Sequence, residues 1–183
     1  MQDKLANPAP LGLLGFGMTT VLLNLHNAGI FPLGTMVLAM GIFYGGIAQV
    51  IAGIMEWVKG NTFGTVAFIS YGFFWETLVG LLLMHKLGWW AGPAKSAFIA
   101  YLVMWGIFTF FMWIALVVGK HPIPIQAVFV TLWILFFLLA LGEVIPNPAL
   151  KTFTGWEGIL CGALAMYVAF SGLIKGEKEQ AAS

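Results

Sequence analysis

The chain has 183 residues, 61% of them hydrophobic and 8% charged, with a formal net charge of +1. A soluble domain of this size cannot enclose so much apolar surface and still keep a charged exterior, so lipid must solvate most of the chain. All basic charge is lysine, and the absence of arginine argues against nucleic-acid binding and against a carrier built on a bidentate arginine clamp for carboxylates.

A membrane helix needs roughly 20 mostly apolar residues. Residues 1–6 read as a short tail with a lysine beside an aspartate, unlike a cleavable leader. The first span is read over residues 11–26, and its helix can begin as early as the preceding Asn7-Pro8-Ala9-Pro10. A helix start exposes N–H donors with no partner, and each costs a few kcal/mol when buried. With Asn7 as cap, Pro8 and Pro10 have no N–H to leave unpaired, and the Asn7 side-chain oxygen accepts from Ala9. Such a start can be buried dry. It reads either as a well-terminated helix end or as a receiving site for a carboxylate, with the Ala9 N–H passing from Asn7 to the ligand.

The second span, residues 33–58, carries Gly41 and Gly45 at the spacing that lets helices approach closely in lipid. It also carries Gln49 and, near its end, Glu56. One turn from Lys59, Glu56 reads equally as half of an ion pair or as a functional acid. The third span, 65–84, holds Tyr71 and, near its middle, Glu76, which must be protonated, paired or turned to water. Spans four and five are read over 95–118 and 123–145. The sixth, 156–174, holds Gly158 and Gly162, the single cysteine Cys161, and Ala165, and residues 175–183 read as a second tail. Glu143, Glu157, His26 and His85 fall at the ends of these spans, where their side chains reach the headgroups. The lysines divide as Lys4, Lys59, Lys120, Lys175 and Lys178 against Lys86, Lys95 and Lys151, which puts both termini on the cytoplasmic side.

No catalytic or metal-ligating constellation is present: His26, His85 and His121 are dispersed, with no carboxylate at ligand spacing, and no cofactor motif occurs. Within the spans the remaining polar side chains are mostly neutral. A narrow, largely apolar conduit for small solutes fits that pattern better than an enzyme does. Asn7-Pro8-Ala9 recurs as Asn147-Pro148-Ala149, as in aquaporins. There, however, each motif starts a half-helix and the first follows two spans, whereas here the first precedes every span.

The blocks NPAPLGLLGFGMTT (7–20), GIFYGGIAQ (41–49), KGNTFG (59–64) and SYGFFW (70–75) resemble the succinate–acetate permease family, also called the acetate uptake transporter family, over essentially the whole length. The resemblance implies one six-helix all-α membrane domain per subunit, a homo-oligomer that is a hexamer, and a path for acetate and some succinate. Passage is channel-like or coupled to protons. The resemblance also implies a constriction at Phe16, Tyr71 and Leu132, and a size-determining small residue at Ala165. Asn7, Ala9, Leu11 and Gln49 are the further candidates for substrate binding, and Glu56 and Glu76 for proton handling. Glu76 departs from the family pattern, which has an uncharged residue there. The competing readings are a urea or short-amide channel of similar architecture, and a membrane sensor that transports nothing.

Overall fold

The computed structural model describes residues 5–182, and among these there is no strand. Six helices are long and apolar enough to cross a membrane: α1 (Ala9–Asn27), α2 (Thr35–Val58), α3 (Thr62–Lys86), α4 (Lys95–Val118), α5 (Ile123–Val144) and α6 (Pro148–Ala181). The chain is an all-α, multi-pass membrane protein. The expected spans agree with these helices to within a turn at each end, except the last.

The sixth helix starts at Pro148, two turns before the apolar run that marks it in the sequence. Asn147 explains the early start: its Oδ1 accepts from Ala149 N at 2.8 Å and from Leu150 N at 3.4 Å, while Pro148 takes the first position and needs no partner. The segment that reads as a loop is therefore helical. At its other end α6 continues past residue 174 to Ala181, where Lys175 and Glu179 meet at 4.0 Å on the exposed surface.

Left-handed glycines follow the ends of the first three helices: Gly29 (φ 86°), Gly60 (φ 74°) and Gly88 (φ 70°). Each brings the next N–H back five residues, as Ile30 to Leu25, Asn61 to Glu56 and Trp89 to Met84, all at 3.0 Å. The last carbonyls of each helix are thereby satisfied. α4 closes the same way with Lys120 at φ 52° and His121 N bonded to the Leu116 carbonyl at 3.0 Å.

Both glycine pairs read from the sequence serve packing inside the subunit. α1 and α6 run antiparallel in close contact: a Cβ on Gly162 would stand 2.7 Å from the Gly17 carbonyl oxygen, and one on Gly158 would strike Asn24. On α2, a Cβ at Gly41 would meet Val79 at 2.7 Å, and one at Gly45 would meet Thr19 and Trp75 at 2.9 Å. These approaches wedge α2 between α1 and α3. There its middle, Met40–Ala48, widens into a π-helix, a distortion that apolar periodicity does not reveal. Two carbonyls of this stretch accept from side chains, Met40 from Thr19 Oγ1 (3.4 Å) and Gly45 from Gln49 Nε2 (2.6 Å). The core lies between α1, α3, α4, α5 and α6 and is strongly aromatic.

Candidate functional site

Alternation of six spans puts Ala9, Lys59 and Lys120 at one end of the bundle, the near end, and Asn27 and Asn147 at the other. A cavity of about 210 Å³ opens at the near end. α1 contributes Ala9, Leu13 and Phe16, which lie on one helical face. α2 contributes Gln49, and the α2–α3 turn and α3 contribute Asn61, Phe63, Ala67 and Tyr71 among others. Leu116 and His121 close one side, with Val128, Phe129 and Leu132 of α5 and Val168 of α6 completing the wall.

The three expected constriction residues all line this one cavity and are almost wholly buried: Phe16 at 5%, Tyr71 at 3% and Leu132 at 3% exposure. The Phe16 and Tyr71 rings stand 5.8 Å apart, and Tyr71 also meets Phe108 at 5.6 Å and Phe129 at 6.0 Å, edge-on. Ala9 and Gln49 line the cavity too. Ala165 does not. It is fully buried in the core one turn from Val168, behind the wall. Leu11 lies on the opposite face of α1 from Ala9, partly exposed and outside the lining.

Asn7 caps α1 as the sequence indicates, its Oδ1 accepting from Ala9 N at 3.2 Å. Pro8 already has helical angles (φ −82°, ψ −11°), and its carbonyl accepts from Leu11 N at 3.0 Å and Gly12 N at 3.3 Å. With the prolines silent and the Ala9 and Leu11 donors occupied, the helix start shows no vacant N–H at these positions. A ligand there must displace Asn7 from Ala9. Asn7 Oδ1 also takes a bond from Lys59 Nζ at 3.4 Å, so the lysine is tied to the α1 cap.

Glu56, at 1% exposure, receives Asn61 Nδ2 at 2.6 Å on Oε2, while its Oε1 is buried without a partner. Asn61 Oδ1 caps α3 through Gly64 N at 3.1 Å, so Glu56 sits directly behind a cavity-lining side chain. Gln49 is fully buried. Its Nε2 is held by Gly45, and its Oε1 has no partner. Glu76 is elsewhere. Five residues past Tyr71, and so about 140° around α3, it rests against Gly46 of the π-helix, partly exposed and outside the cavity lining.

At the far end a vestibule of about 530 Å³ is lined by Asn27, Leu139, Glu143, Asn147, Lys151 and Thr154, among others. Along α1 it lies some 18 residues from Ala9, about 27 Å. Between the two cavities α1 turns the buried Thr20 and Asn24 inward, with Asn24 Nδ2 on the Thr20 carbonyl at 2.9 Å and Asn27 Nδ2 on Asn24 Oδ1 at 3.0 Å. No group of three His, Cys, Asp or Glu residues able to hold a metal occurs among the described residues. Sequence reasoning did not single out Asn61, His121 and Phe129 as lining residues. The first belongs to the quoted block KGNTFG, which was the available signal.

A family model described as GPR1/FUN34/yaaH matches residues 1–181. The succinate-acetate/proton symporter SatP of Escherichia coli is 57% identical over 166 residues, 91% of this chain and 87% of that protein. A protein of Methanothermobacter thermautotrophicus is 53% identical over 181 residues, covering 95% of this chain and 88% of that one. Among solved structures, that of the bacterial acetate channel SatP superposes with a TM-score of 0.91 at 54% identity over 95% of both chains.

Proposed function

Because the chain belongs to the GPR1/FUN34/yaaH family, we propose that it passes small carboxylates across a membrane, acetate first and succinate with it, and that it is a conduit rather than an enzyme. The observation that carries this reading is the convergence of Phe16, Tyr71 and Leu132, from three helices, on the inner end of one cavity. Two rings and a leucine make a constriction that selects by size. Their apolar surface also penalises a bare anion by several kcal/mol.

That penalty bears on the form of the solute. Among the described residues the cavity wall carries no lysine or arginine, and a buried polar atom on it without a partner is an acceptor, Gln49 Oε1. A carboxylate brings only acceptors, whereas a protonated acid brings the O–H that Gln49 lacks. The wall therefore suits the neutral acid, and proton movement accompanies acetate movement. Glu56, buried behind Asn61, is the acid at the near mouth that takes part in handling that proton, with Asn61 between it and the cavity. Asn7, Ala9 and Lys59 shape the entrance. The protein works as a hexamer with one path per subunit, in the cell membrane, with both termini cytoplasmic. Its near mouth then faces the cytoplasm.

Liposome swelling separates this reading from a urea or short-amide channel. Purified protein is expected to speed swelling in acetate and leave swelling in urea at the protein-free rate. Rapid urea entry without acetate entry would overturn the proposal.

A further inference from the structure

The acids of the spans sort by position. Glu56 lies at the near mouth, Glu143 lines the far vestibule and Glu76 sits outside the cavity. Glu157 belongs to none of these places. The sequence reading puts it at a helix end, but the true start of α6 at Pro148 moves it nine residues inward. That is about 13 Å along the axis, yet Gly155 packs on Ala28 and Gly158 on Asn24, so Glu157 is level with the last turn of α1, at the inner edge of the far vestibule. Both of its carboxyl oxygens are buried, and neither has a hydrogen-bond partner.

Its neighbours on α6 show where it points. Val168, three turns on and therefore on the same face, lines the near cavity, and Thr154, one turn back, lines the far vestibule. Cys161, one turn on, is fully buried, with its Sγ donating to the Val128 carbonyl of α5 at 3.7 Å. Glu157 thus occupies the strip of α6, turned toward α5, between the far vestibule and the buried core that separates it from the near cavity.

We propose that Glu157 is the proton-exchanging carboxyl on the far-vestibule side of the path, opposite Glu56 at the near mouth, acting on the carboxylate solute assigned above; the inference rests on that reading of transport. A glutamate side chain and a short carboxylic acid are the same functional group with close intrinsic proton affinities, so once the solute carboxylate has shed its water beside Glu157 the proton passes between two equally desolvated carboxylates. A carboxylate arriving from the far vestibule, where Lys151 attracts it, takes the proton of Glu157. The Glu157 O–H bond breaks, an O–H bond forms on the solute, and the neutral acid crosses the apolar constriction. Hydronium from the vestibule then reprotonates Glu157 and leaves water. One carboxylate and one proton have moved together, and the reverse order carries them back. The groups facing Glu157 do not replace it in this role. On α6 they are Cys161 and, at the vestibule, Lys151. α5 offers Glu143 in the vestibule, and the face of α1 packed on α6, Gly17, Val21, Asn24 and Ala28, offers no titratable group.

The test is labelled-acetate flux of the full chain in liposomes, with protein-free vesicles subtracted, for wild type and Glu157→Gln at about pH 8 and about pH 5.5. The glutamine variant is expected to lose roughly tenfold or more at the higher pH. At the lower pH, where bulk water supplies the protonated acid, it is expected to recover to within about twofold of wild type. Wild-type flux in the variant at both values, or the same loss at both, would overturn the proposal, since a packing defect does not depend on bulk protonation. Should Glu157→Gln fail to assemble, infrared difference spectra of the wild type on adding acetate decide the matter. A change in a protonated-carboxyl band is expected, one that Glu157→Asp shifts, and no carboxyl change overturns it. Wild-type protein that passes no acetate would instead sink the transport reading itself.

Discussion

The Tyr71 hydroxyl donates to Thr109 Oγ1 at 2.9 Å, and Thr109 in turn donates to the Trp105 carbonyl at 2.7 Å. This chain fixes the ring that faces Phe16 and commits its proton to the protein, so in the proposed path Tyr71 offers the solute a surface and not a donor. Tyr71→Phe is therefore expected to keep the ratio of acetate to lactate flux while costing about 0.5–1.5 kcal/mol of stability for the lost bond. Thermal unfolding in detergent and paired flux measurements check both. A phenylalanine variant that admits lactate would mean the hydroxyl itself sets the aperture.

Leu132 lines the same cavity from α5 and is 3% exposed. Leu132→Ala removes its branched end from the cavity wall, and lactate flux is expected to rise relative to acetate. The price in stability is about 2–5 kcal/mol. Labelled-lactate uptake at matched expression, no greater than wild type, would count against a path through this point.

The family, and the meeting of Phe16 and Tyr71 on one cavity wall, were legible because both rest on local blocks: LGFG around Phe16 and SYGFFW around Tyr71 keep their meaning without tertiary knowledge. Helix number followed from apolar length, and the turns from glycines such as Gly60. Three features were not legible. The π-helix at Met40–Ala48 is imposed by packing against Thr19, Trp75 and Glu76, which no local pattern encodes. The burial of Glu157 depended on where α6 begins, and the polar run Lys151-Thr152-Phe153-Thr154 concealed two helical turns behind the Asn147 cap. Lys59 is closer in sequence to Glu56, yet Asn7 of a different helix receives its Nζ, because the α1 cap is brought beside the α2–α3 turn.

Glu76 tests whether an acid in a span is an acid in the path. It rests against Gly46, on the side of α3 turned away from Tyr71. Glu76→Gln is expected to leave acetate uptake driven by a pH gradient within about twofold of wild type, since the isosteric amide keeps its packing. A loss comparable to that expected of Glu157→Gln would place Glu76 in the proton route and require water to reach it from the outer face of α2.

Asn7 separates a structural cap from a ligand-binding one. Its Oδ1 serves Ala9 N and Lys59 Nζ together, so Asn7→Ala strips the α1 start and frees the lysine at once. The expected cost is about 0.5–2 kcal/mol, read as a lower unfolding temperature. Asn7→Asp keeps the acceptor and adds a negative charge beside Lys59 and the helix start, which restores or improves stability. The two variants part on transport. If acetate enters by displacing Asn7 from Ala9, the aspartate repels it and holds the N–H more firmly, and flux falls several-fold in a protein as stable as wild type. If the cap only holds the helix end, flux in Asn7→Asp equals wild type, and the half-saturating acetate concentration is unmoved. Entry then depends on the cavity wall from Ala9 to Phe16 and not on the helix terminus.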